Sequence, residues 1–534
     1  VAGAYSYFTQ DLPEPQEMEV SASGVRTTFG TLELAVDPLF PVFYSYYDTH
    51  PVGSATITNA TSVPVRDLRV SFYIGQYMEN PKSSAVVAEL PPGETTTLDV
   101  YGLFTNEILG ITEGATLSAR FDVVYTLAGK EHTEQFVQSV EAYNRNALTW
   151  DDDEKICAFV TAKDPAIMRF ARNVAGSIQQ AEWTGVNNCL ASAIALHEAL
   201  DSYGMHYIPD PTTPYAELST EQTVVDHLLF PRQTLEYRGG DCDDLSALYC
   251  ALLEAVGIET AFITIPGHIF VACCLGIAPD EARRSFQYPD ELVIHGDRAW
   301  VPIEITLRDQ GFLAAWQEGA KEWRENVARD QAAFHPVHEG WETYKPVGLP
   351  GSSTIDPLDL EEVVVRAGAQ LAAFVEREIE AQRASMENRM AREPESPRWP
   401  NRLGVLYARY GRTETALAHF RAALELVPGY VPALINVGNV YFQGGDMRRA
   451  LEFYDAAATL APDDPEVLLA VARANHELEN YGTSRDAFAR LSELAPGLAE
   501  RFSYLGLRGE EASRAADTAE VRNTMVWSME EDEE

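Results

Sequence analysis

The stretch Gly239-Gly240-Asp241-Cys242-Asp243-Asp244-Leu245 is a glycine turn that ends in a cysteine, and it decides how the middle of the chain folds. Apolar residues then recur at helical spacing, at Leu245, Leu248, Leu252 and Val256. Gly257 is a typical helix stop, so the pattern predicts a helix with Cys242 at or just before its N-terminus. Free backbone N–H groups at a helix start favour a thiolate, the nucleophilic form of cysteine.

The same stretch has a second interpretation. A lone cysteine is most often a small core residue. Its neighbours Asp241, Asp243 and Asp244 also oppose a thiolate by like charge. The heptapeptide alone leaves both interpretations open, and the residues that follow favour the first.

A histidine and a carboxylate follow the cysteine in predicted β-structure. His268 opens a strand directly after the turn Pro266-Gly267, and Glu304 lies in the second strand of a predicted hairpin. A nucleophilic cysteine needs a base for its proton, and that base needs a third group that orients it. Cys242, His268 and Glu304 are therefore the candidate catalytic residues.

These motifs resemble the transglutaminase-like cysteine hydrolase superfamily in its bacterial form. The resembling stretches are Gly240-Asp241-Cys242-Asp243-Asp244, Pro266-Gly267-His268-Ile269-Phe270-Val271 and Trp300-Val301-Pro302-Ile303-Glu304. The resemblance covers roughly residues 151–344 and implies an α+β, papain-like domain with acyl-thioester chemistry. Glu304 departs from the family, whose third residue is commonly Asp. A glutamate can still orient the histidine if its backbone lies one methylene further back.

Gln233 lies nine positions before Cys242 and is our oxyanion candidate. Thiol hydrolases often use a side-chain amide beside the backbone N–H of the cysteine to hold the oxyanion. The alternative is that Gln233 only hydrogen-bonds a loop. The proline-rich loop over residues 204–217 is either a rim of the substrate groove or a simple connection.

Composition narrows the possible ligands. The formal charge of -41 over 534 residues should repel nucleic acid and anionic lipid, so we expect neither as a partner. Six cysteines are too few for a disulfide framework, and without a CxxC pair we expect no metal and no cofactor. We also expect no membrane span within this chain, because no stretch reaches about 18 uninterrupted apolar residues.

The regions before and after the central domain differ in pattern. Residues 1–23 read as a polar lead-in, and residues 24–150 alternate in short strands that predict an all-β, immunoglobulin-like sandwich. The α+β transglutaminase-like domain is predicted over residues 151–345, and residues 346–359 read as a linker.

The C-terminal part is repetitive. Pro428, Pro462 and Pro496 are spaced 34 apart, as are Gly404 and Gly438. Small residues hold the helix-crossing position, at Ala416, Ala450 and Ser484, and aromatic residues follow at Phe420, Tyr454 and Phe488. This pattern resembles the tetratricopeptide repeat (TPR).

The repeats set the predicted layout of the C-terminal region. An all-α TPR solenoid is expected over residues 360–517, with repeats at 398–428, 429–462 and 463–496. A long first helix is expected at residues 360–392 and a closing helix at residues 498–516. The acidic residues 518–534 are predicted to form a solvated, disordered tail.

The predicted function is that of a multidomain thiol-dependent hydrolase, a cysteine peptidase or amidase acting on protein substrates that the TPR repeats recruit. The alternatives are a non-catalytic scaffold, in which sandwich and repeats mediate protein–protein interaction, and a protein-crosslinking transglutaminase. Because the chain begins at Val1 rather than Met, we expect an exported, periplasmic or cell-envelope protein rather than a cytoplasmic one.

Overall fold

The computed structural model describes residues 25–179, 185–209, 224–507 and 525–530. Its contacts divide the chain into two compact units, which are described separately. Unit 1 comprises Val1–Ile178, Ser192–Arg283 and Pro289–Gln370, and unit 2 comprises Gln179–Ala191, Arg284–Tyr288 and Leu371–Glu534. The predicted lead-in, residues 210–217 of the proline-rich loop, and residues 518–524 and 531–534 of the tail lie outside the described residues.

The N-terminal part of unit 1 is a β domain, as the alternating sequence predicts. Its strands are β1 (Val25–Arg26), β2 (Gly30–Val36), β3 (Gly53–Asn59), β4 (Val65–Tyr73), β5 (Lys82–Ser83), β6 (Val87–Leu90), β7 (Thr95–Val100), β8 (Ala115–Leu127) and β9 (Lys130–Ala142). They pair antiparallel in one sheet of order β1-β2-β3-β7 and another of order β5-β4-β8-β9, in which β6 also pairs with β4.

Each sheet buries alternate side chains, because successive residues of a strand point to opposite faces. Leu32 and Ile57 of the first sheet and Phe72 and Phe121 of the second are fully buried. Burial of these apolar side chains provides the main favourable term for the β domain.

The rest of unit 1 is a mixed region of helices and strands with a central antiparallel sheet. The strands are β10 (Ala147–Thr149), β11 (His206–Tyr207), β12 (Val225–His227), β13 (Gly239–Gly240), β14 (Thr260–Ile265), β15 (His268–Cys274), β16 (Val293–His295), β17 (Arg298–Ile303) and β18 (Ala333–Pro336). The helices are α1 (Pro165–Gln179), α2 (Asn188–Ser202), α3 (Pro231–Tyr237), α4 (Cys242–Glu254), α5 (Pro279–Ser285), α6 (Phe312–Val327) and α7 (Val337–Thr343). The central sheet has the order β16-β17-β15-β14-β18, and helix α4 contacts β15.

Local sequence explains where the central elements begin and end. Asp241 caps helix α4 and forms a reciprocal capping box with Asp244. Gly257 has a φ of 83° after the helix, a conformation that glycine adopts without strain. The turn at Pro266-Gly267 then joins β14 to β15 with Ile265 opposite His268.

The predicted linker is bound to unit 1 over part of its length. Arg232 of helix α3 donates hydrogen bonds from its guanidinium to the carbonyls of Leu349, Pro350 and Gly351 at 2.7–3.0 Å. The glycine- and proline-rich composition predicts a loose segment, but a buried guanidinium needs acceptors and these carbonyls supply them.

Unit 2 is built from helices arranged in successive pairs. The long helix α8 (Leu360–Arg392) is followed by α9 (Arg398–Arg409), α10 (Thr413–Leu426), α11 (Val431–Gln443), α12 (Met447–Leu460), α13 (Pro465–Glu477), α14 (Tyr481–Leu494) and α15 (Pro496–Arg501). The pairs α9–α10, α11–α12 and α13–α14 each lie within one predicted repeat, so the prediction of a helical solenoid is confirmed.

The small residues of the repeat pattern lie where paired helices touch. A Cβ atom at Gly438 would come within 2.3 Å of the Tyr454 ring, and one at Gly404 within 2.5 Å of the Phe420 ring. In the third pair Ser484 is fully buried and donates a hydrogen bond to the carbonyl of Ala472 at 2.9 Å. The spacing of 34 residues therefore places a small residue at each point where paired helices pack too closely for a larger one.

The end of unit 2 differs from the prediction. Instead of a closing helix over residues 498–516, α15 ends at Arg501 and a short 3-10 helix spans Ser503–Gly506, while residues 508–516 lie outside the described part. The prediction of a solvated tail is wrong for residues 525–528, which are half-buried or, at Ser528, only 4% exposed, whereas Met529 and Glu530 are exposed. The acidic composition of the tail does not predict this burial, because backbone groups make most of the hydrogen bonds that hold these residues.

Replacing Gly438 by alanine tests the helix-crossing interpretation. We expect G438A to lower the free energy of unfolding of unit 2 by about 1–3 kcal/mol, because the new methyl group overpacks against Tyr454. Urea unfolding followed by circular dichroism at 222 nm measures the change. The matched control is G482A in helix α14, where a Cβ meets nothing within 4 Å and alanine should be neutral or stabilising by up to about 1 kcal/mol. Equal loss in both variants would contradict the steric requirement.

Candidate active site

Cys242 is the first residue of helix α4, at the position that the glycine turn predicts. The residue is 6% exposed. A Cβ atom at Gly240 would lie 2.5 Å from the Asp244 side chain, so glycine is needed for the close turn that leads into the helix. The imidazole of His268 and the backbone of Ile269 lie close enough to the Cys242 thiol to act on its pKa.

The pairing of β15 with β17 brings His268 and Glu304 together. Val271 lies opposite Ile303, so continuation of this register places Glu304 opposite Phe270, two residues from His268 on the same face. His268 Nε2 and Glu304 Oε2 form a short hydrogen bond. Glu304 lies one residue beyond β17, as the N-cap of the 3-10 helix Ile305–Gln310, and not within the strand as predicted.

The carboxylate of Glu304 is itself held in place. Its Oε1 accepts hydrogen bonds from the backbone N–H of Thr306 at 2.9 Å and from the Thr306 hydroxyl. The backbone N–H of Glu304 donates to the carbonyl of Ala315 in helix α6 at 2.9 Å. With Nε2 of His268 occupied by Glu304, Nδ1 is the nitrogen left to face Cys242. The three predicted residues thus form a thiol–imidazole–carboxylate relay.

The pKa values of Cys242 and His268 depend on burial and on neighbouring side chains more than on the helix start. Burial raises the pKa of the Cys242 thiol, while the hydrogen bond to His268 acts in the opposite direction. This net direction is the reverse of that expected from the helix N-terminus. For His268, burial would lower the pKa, but hydrogen bonds to Cys242 and Glu304 outweigh it and raise the pKa to about 10. The imidazolium is thereby available to stabilise a thiolate.

The neighbouring aspartates carry less charge than the sequence suggests. Burial, followed by the charge of Asp241, raises the pKa of Asp243 well above its ordinary value and that of Asp244 to about 8. Asp244 Oδ1 accepts a hydrogen bond from the backbone N–H of Leu229 at 2.7 Å. Because protonated carboxyls are neutral, the like-charge opposition to a thiolate at Cys242 is reduced.

The oxyanion candidate Gln233 has a structural task. Its Oε1 accepts hydrogen bonds from Asn146 Nδ2 at 2.8 Å and from the backbone N–H of Phe230 at 3.0 Å. Gln233 is N3 of helix α3, whose start it caps, and α3 contacts α4. Only the amide nitrogen of Gln233 is left for an oxyanion, and that role stays a prediction.

Sequence reasoning missed two residues of the site. Tyr207 lies in β11, which pairs in parallel with Gly239–Gly240. Burial, then the charges of Cys242 and its acidic neighbours, raises the pKa of Tyr207 to about 12, so its phenol lies near the thiol. A two-residue parallel bridge gives no periodic signal. Its position supports the proline-rich loop as a rim of the site at residues 206–209.

The second missed residue is Glu322 on helix α6. Its carboxylate lies 4.0 Å from His268 Nε2. Burial, then the charge of Glu304, raises the pKa of Glu322 to about 7. Helical spacing places Glu322 among other acidic residues of α6, so the sequence does not single it out.

Two acidic groups have the spacing of metal ligands. One atom each of His268, Glu304 and Glu322 lie within 4.8 Å of one another, and the same holds for Asp241, Asp243 and Asp244. In the first group His268 hydrogen-bonds Glu304, and in the second Asp241 and Asp243 accept hydrogen bonds from the backbone N–H of Asp244. The prediction of a site without a metal stays a prediction.

The helix pairs of unit 2 define a tetratricopeptide-repeat region, which is a protein-binding architecture. The tetratricopeptide repeat family model matches residues 407–474, and this confirms the sequence prediction of TPR repeats. The chain therefore contains a TPR region. None of the described helices is long and apolar enough to cross a membrane.

Relatives match only a small share of the chain. Protein CTR9 homolog of Arabidopsis thaliana is 30% identical over 111 residues, which are 21% of this chain and 10% of that protein. Anaphase-promoting complex subunit 3 of Schizosaccharomyces pombe is 26% identical over 127 residues, or 24% of this chain and 19% of that protein. The chain thus spans a tenth to a fifth of the length of these relatives. A solved structure, the first TPR of Spaghetti (RPAP3) bound to an HSP90 peptide, is 16% identical, covers 23% of this chain and 87% of that chain, and has a TM-score of 0.18.

Asp244 should make stability depend on pH. Between its ordinary pKa of 3.8 and its folded pKa of about 8, the folded state holds a proton that the unfolded state releases. The free energy of unfolding should therefore fall as pH rises through this window, by up to about 1.4 kcal/mol per pH unit. D244N removes the titration and should flatten the fall between pH 5 and pH 8, measured by urea unfolding. The control is D290N, whose side chain is 74% exposed; identical slopes in D244N and the wild type would contradict the prediction.

Glu322 should tune the reactivity of Cys242 near neutral pH. The pKa of His268 is about 10, so its imidazolium is already formed at pH 7, and ionisation of Glu322 at about pH 7 only adds negative charge beside it. Because negative charge disfavours a thiolate, alkylation of Cys242 by iodoacetamide should rise less steeply with pH above about pH 7 than below it. E322Q should remove this change of slope without changing the rate at pH 6. E318Q, on the same helix and paired with Lys321, is the control. A change of slope that persists in E322Q would exclude Glu322 as its source.

Proposed function

We propose that this protein is a thiol-dependent hydrolase that acts on protein substrates, with its TPR region recruiting the substrate or a partner. The observation that supports the catalytic part is the convergence of Cys242, His268 and Glu304 into one relay. The proposal includes a transglutaminase-like fold for the central part of unit 1 and an immunoglobulin-like sandwich for its β domain.

The chemistry follows from the relay. The Cys242 thiol passes its proton to the neutral imidazole of His268, and the thiolate attacks the carbonyl carbon of a peptide or side-chain amide. As the C–N bond breaks, the imidazolium gives that proton to the leaving amine. Neutral His268 then takes a proton from water, whose oxygen attacks the acyl-thioester. The C–S bond breaks, a carboxylic acid leaves and the proton returns to the sulfur. Glu304 keeps the imidazole oriented and stabilises its charged form throughout.

A scaffold without catalysis is the second candidate. The TPR match and its relatives support protein interaction directly, and the 6% exposure and raised pKa of Cys242 favour an inert thiol. The two candidates share the recruiting role of unit 2. They differ only in whether the thiol of Cys242 reacts.

Alkylation rates separate the candidates. Cys157, Cys250, Cys273 and Cys274 are buried and Cys189 is half-buried, so they provide an internal scale. We expect Cys242 to react with iodoacetamide at least about tenfold faster than the four buried thiols, as measured by mass spectrometry of the quenched protein, because His268 holds its thiolate.

The imidazole is tested by H268A, which should remove this difference. The matched control is H338A, a histidine of unit 1 that is hydrogen-bonded to Glu254 at 2.9 Å and lies outside the relay. If Cys242 reacts no faster than the buried thiols, the scaffold is the correct function. If a glutamine-containing protein gains a labelled amine more readily than it loses ammonia to water, the reaction is crosslinking and not hydrolysis.

A further inference from the structure

The C-terminal residues Met525–Glu530 lie extended along unit 2, against the first helix of each repeat pair. Their partners come from helices α9, α11 and α13. Together these helices and the segment define a groove, which we call the repeat groove. The segment has no helix or strand of its own within the described residues, so the groove holds it through side chains of the repeats.

Asparagines of the repeats bind the backbone of the segment. Asn436 contacts Ser528 at two points, donating from Nδ2 to its carbonyl and accepting at Oδ1 from its N–H, both at 2.8 Å. Asn401 Nδ2 donates to the same carbonyl at 3.1 Å, and Asn439 Nδ2 donates to the carbonyl of Val526 at 2.8 Å. Contacts to backbone atoms recognise an extended chain whatever its side chains.

The side chains of the segment add selectivity. Ser528 is 4% exposed, which leaves space for a small residue only. Trp527 stacks on Phe420 with ring centroids 6.1 Å apart. Val526 lines a small mixed polar and apolar pocket together with Leu469 and Arg473.

A positively charged side chain contacts the last described residue of the segment. Arg402 donates a hydrogen bond from Nη2 to the carbonyl of Glu530 at 2.7 Å. The sequence continues with Glu531-Asp532-Glu533-Glu534. Arg402 of helix α9 thus places a positive charge beside Glu530.

We propose that the repeat groove binds an extended segment of a protein partner with the pattern apolar, aromatic, small, apolar, acidic, and that the chain's own Met525–Glu530 occupies the groove until that partner displaces it. This rests on the protein-binding role of the TPR region. The sequence tethers the segment to Leu507 through residues 508–524. A tethered segment competes at an effective concentration of the order of 1 mM.

A proline in the full-length chain tests the occupancy. S528P removes the N–H that Asn436 accepts and keeps chain length and net charge unchanged. The probe is a fluorescein-labelled peptide with the sequence of residues 523–534. Fluorescence anisotropy should show at least about tenfold tighter binding to S528P than to the wild type, because the competing tether is released. The matched control is M529P, since the N–H of Met529 has no hydrogen-bond partner among the described residues, and it should bind as the wild type does.

Asparagine variants locate the binding site. In the S528P background, N436A should weaken probe binding by about tenfold or more, as expected for two lost hydrogen bonds. N475A is the control, because Asn475 is also buried in the repeats but its side chain, within the described residues, bonds Val471 and Asn480 and not the segment. Equal probe affinity for the wild type, S528P and M529P, or no effect of N436A, would overturn the proposal.

Hydrogen exchange gives an independent measurement. The amide of Ser528 should be protected in the wild type and exposed in N436A. Fast exchange in the wild type would overturn occupancy, and protection that appears only in a dimer would overturn the tethered arrangement. An unreactive Cys242 would leave all of these results unchanged, so failure of the proposed hydrolase is recognised separately.

Discussion

The antiparallel pairing of β15 with β17 is the constraint on which the candidate site depends. Its register sets His268 and Glu304 on one face, and helix α4 against β15 brings Cys242 to the same place. A shift of one residue would turn one partner to the opposite face, because strand side chains alternate with a period of two. The hydrophobic core that fixes this register therefore also fixes the relay.

The charge states of Cys242 and His268 depend on burial in a poorly hydrated site and on the charged side chains beside them. Burial works against both the thiolate of Cys242 and the imidazolium of His268. Pairing with Cys242 and Glu304 outweighs burial for the imidazolium, whereas burial outweighs pairing with His268 for the thiolate. In a low dielectric such pairs are strong and unpaired ions are costly. This explains why Asp244 carries a proton where a surface aspartate would carry a charge.

The sequence predicts what local rules control. The helix start at Cys242, the turn at Pro266-Gly267 and the recurring small residues of the repeats all follow from backbone geometry or close packing, and all lie where expected. Tyr207, near the thiol, and Glu322, near the imidazole, were not predicted because these contacts arise from tertiary packing of elements distant in sequence. The binding of the tail was not predicted for another reason. Its composition predicts disorder, whereas Asn436 binds backbone atoms that every residue has.

A groove that its own chain fills sets a threshold for any partner. If the tethered segment acts at about 1 mM, a free segment of equal intrinsic affinity displaces half of it only near that concentration. A partner at micromolar levels must therefore gain about 4 kcal/mol from contacts that the segment Met525–Glu530 lacks, since each factor of ten costs about 1.4 kcal/mol. Longer contact along the repeats is one source of that energy. The selectivity of the TPR region would then lie outside the asparagine contacts, which bind any extended backbone alike.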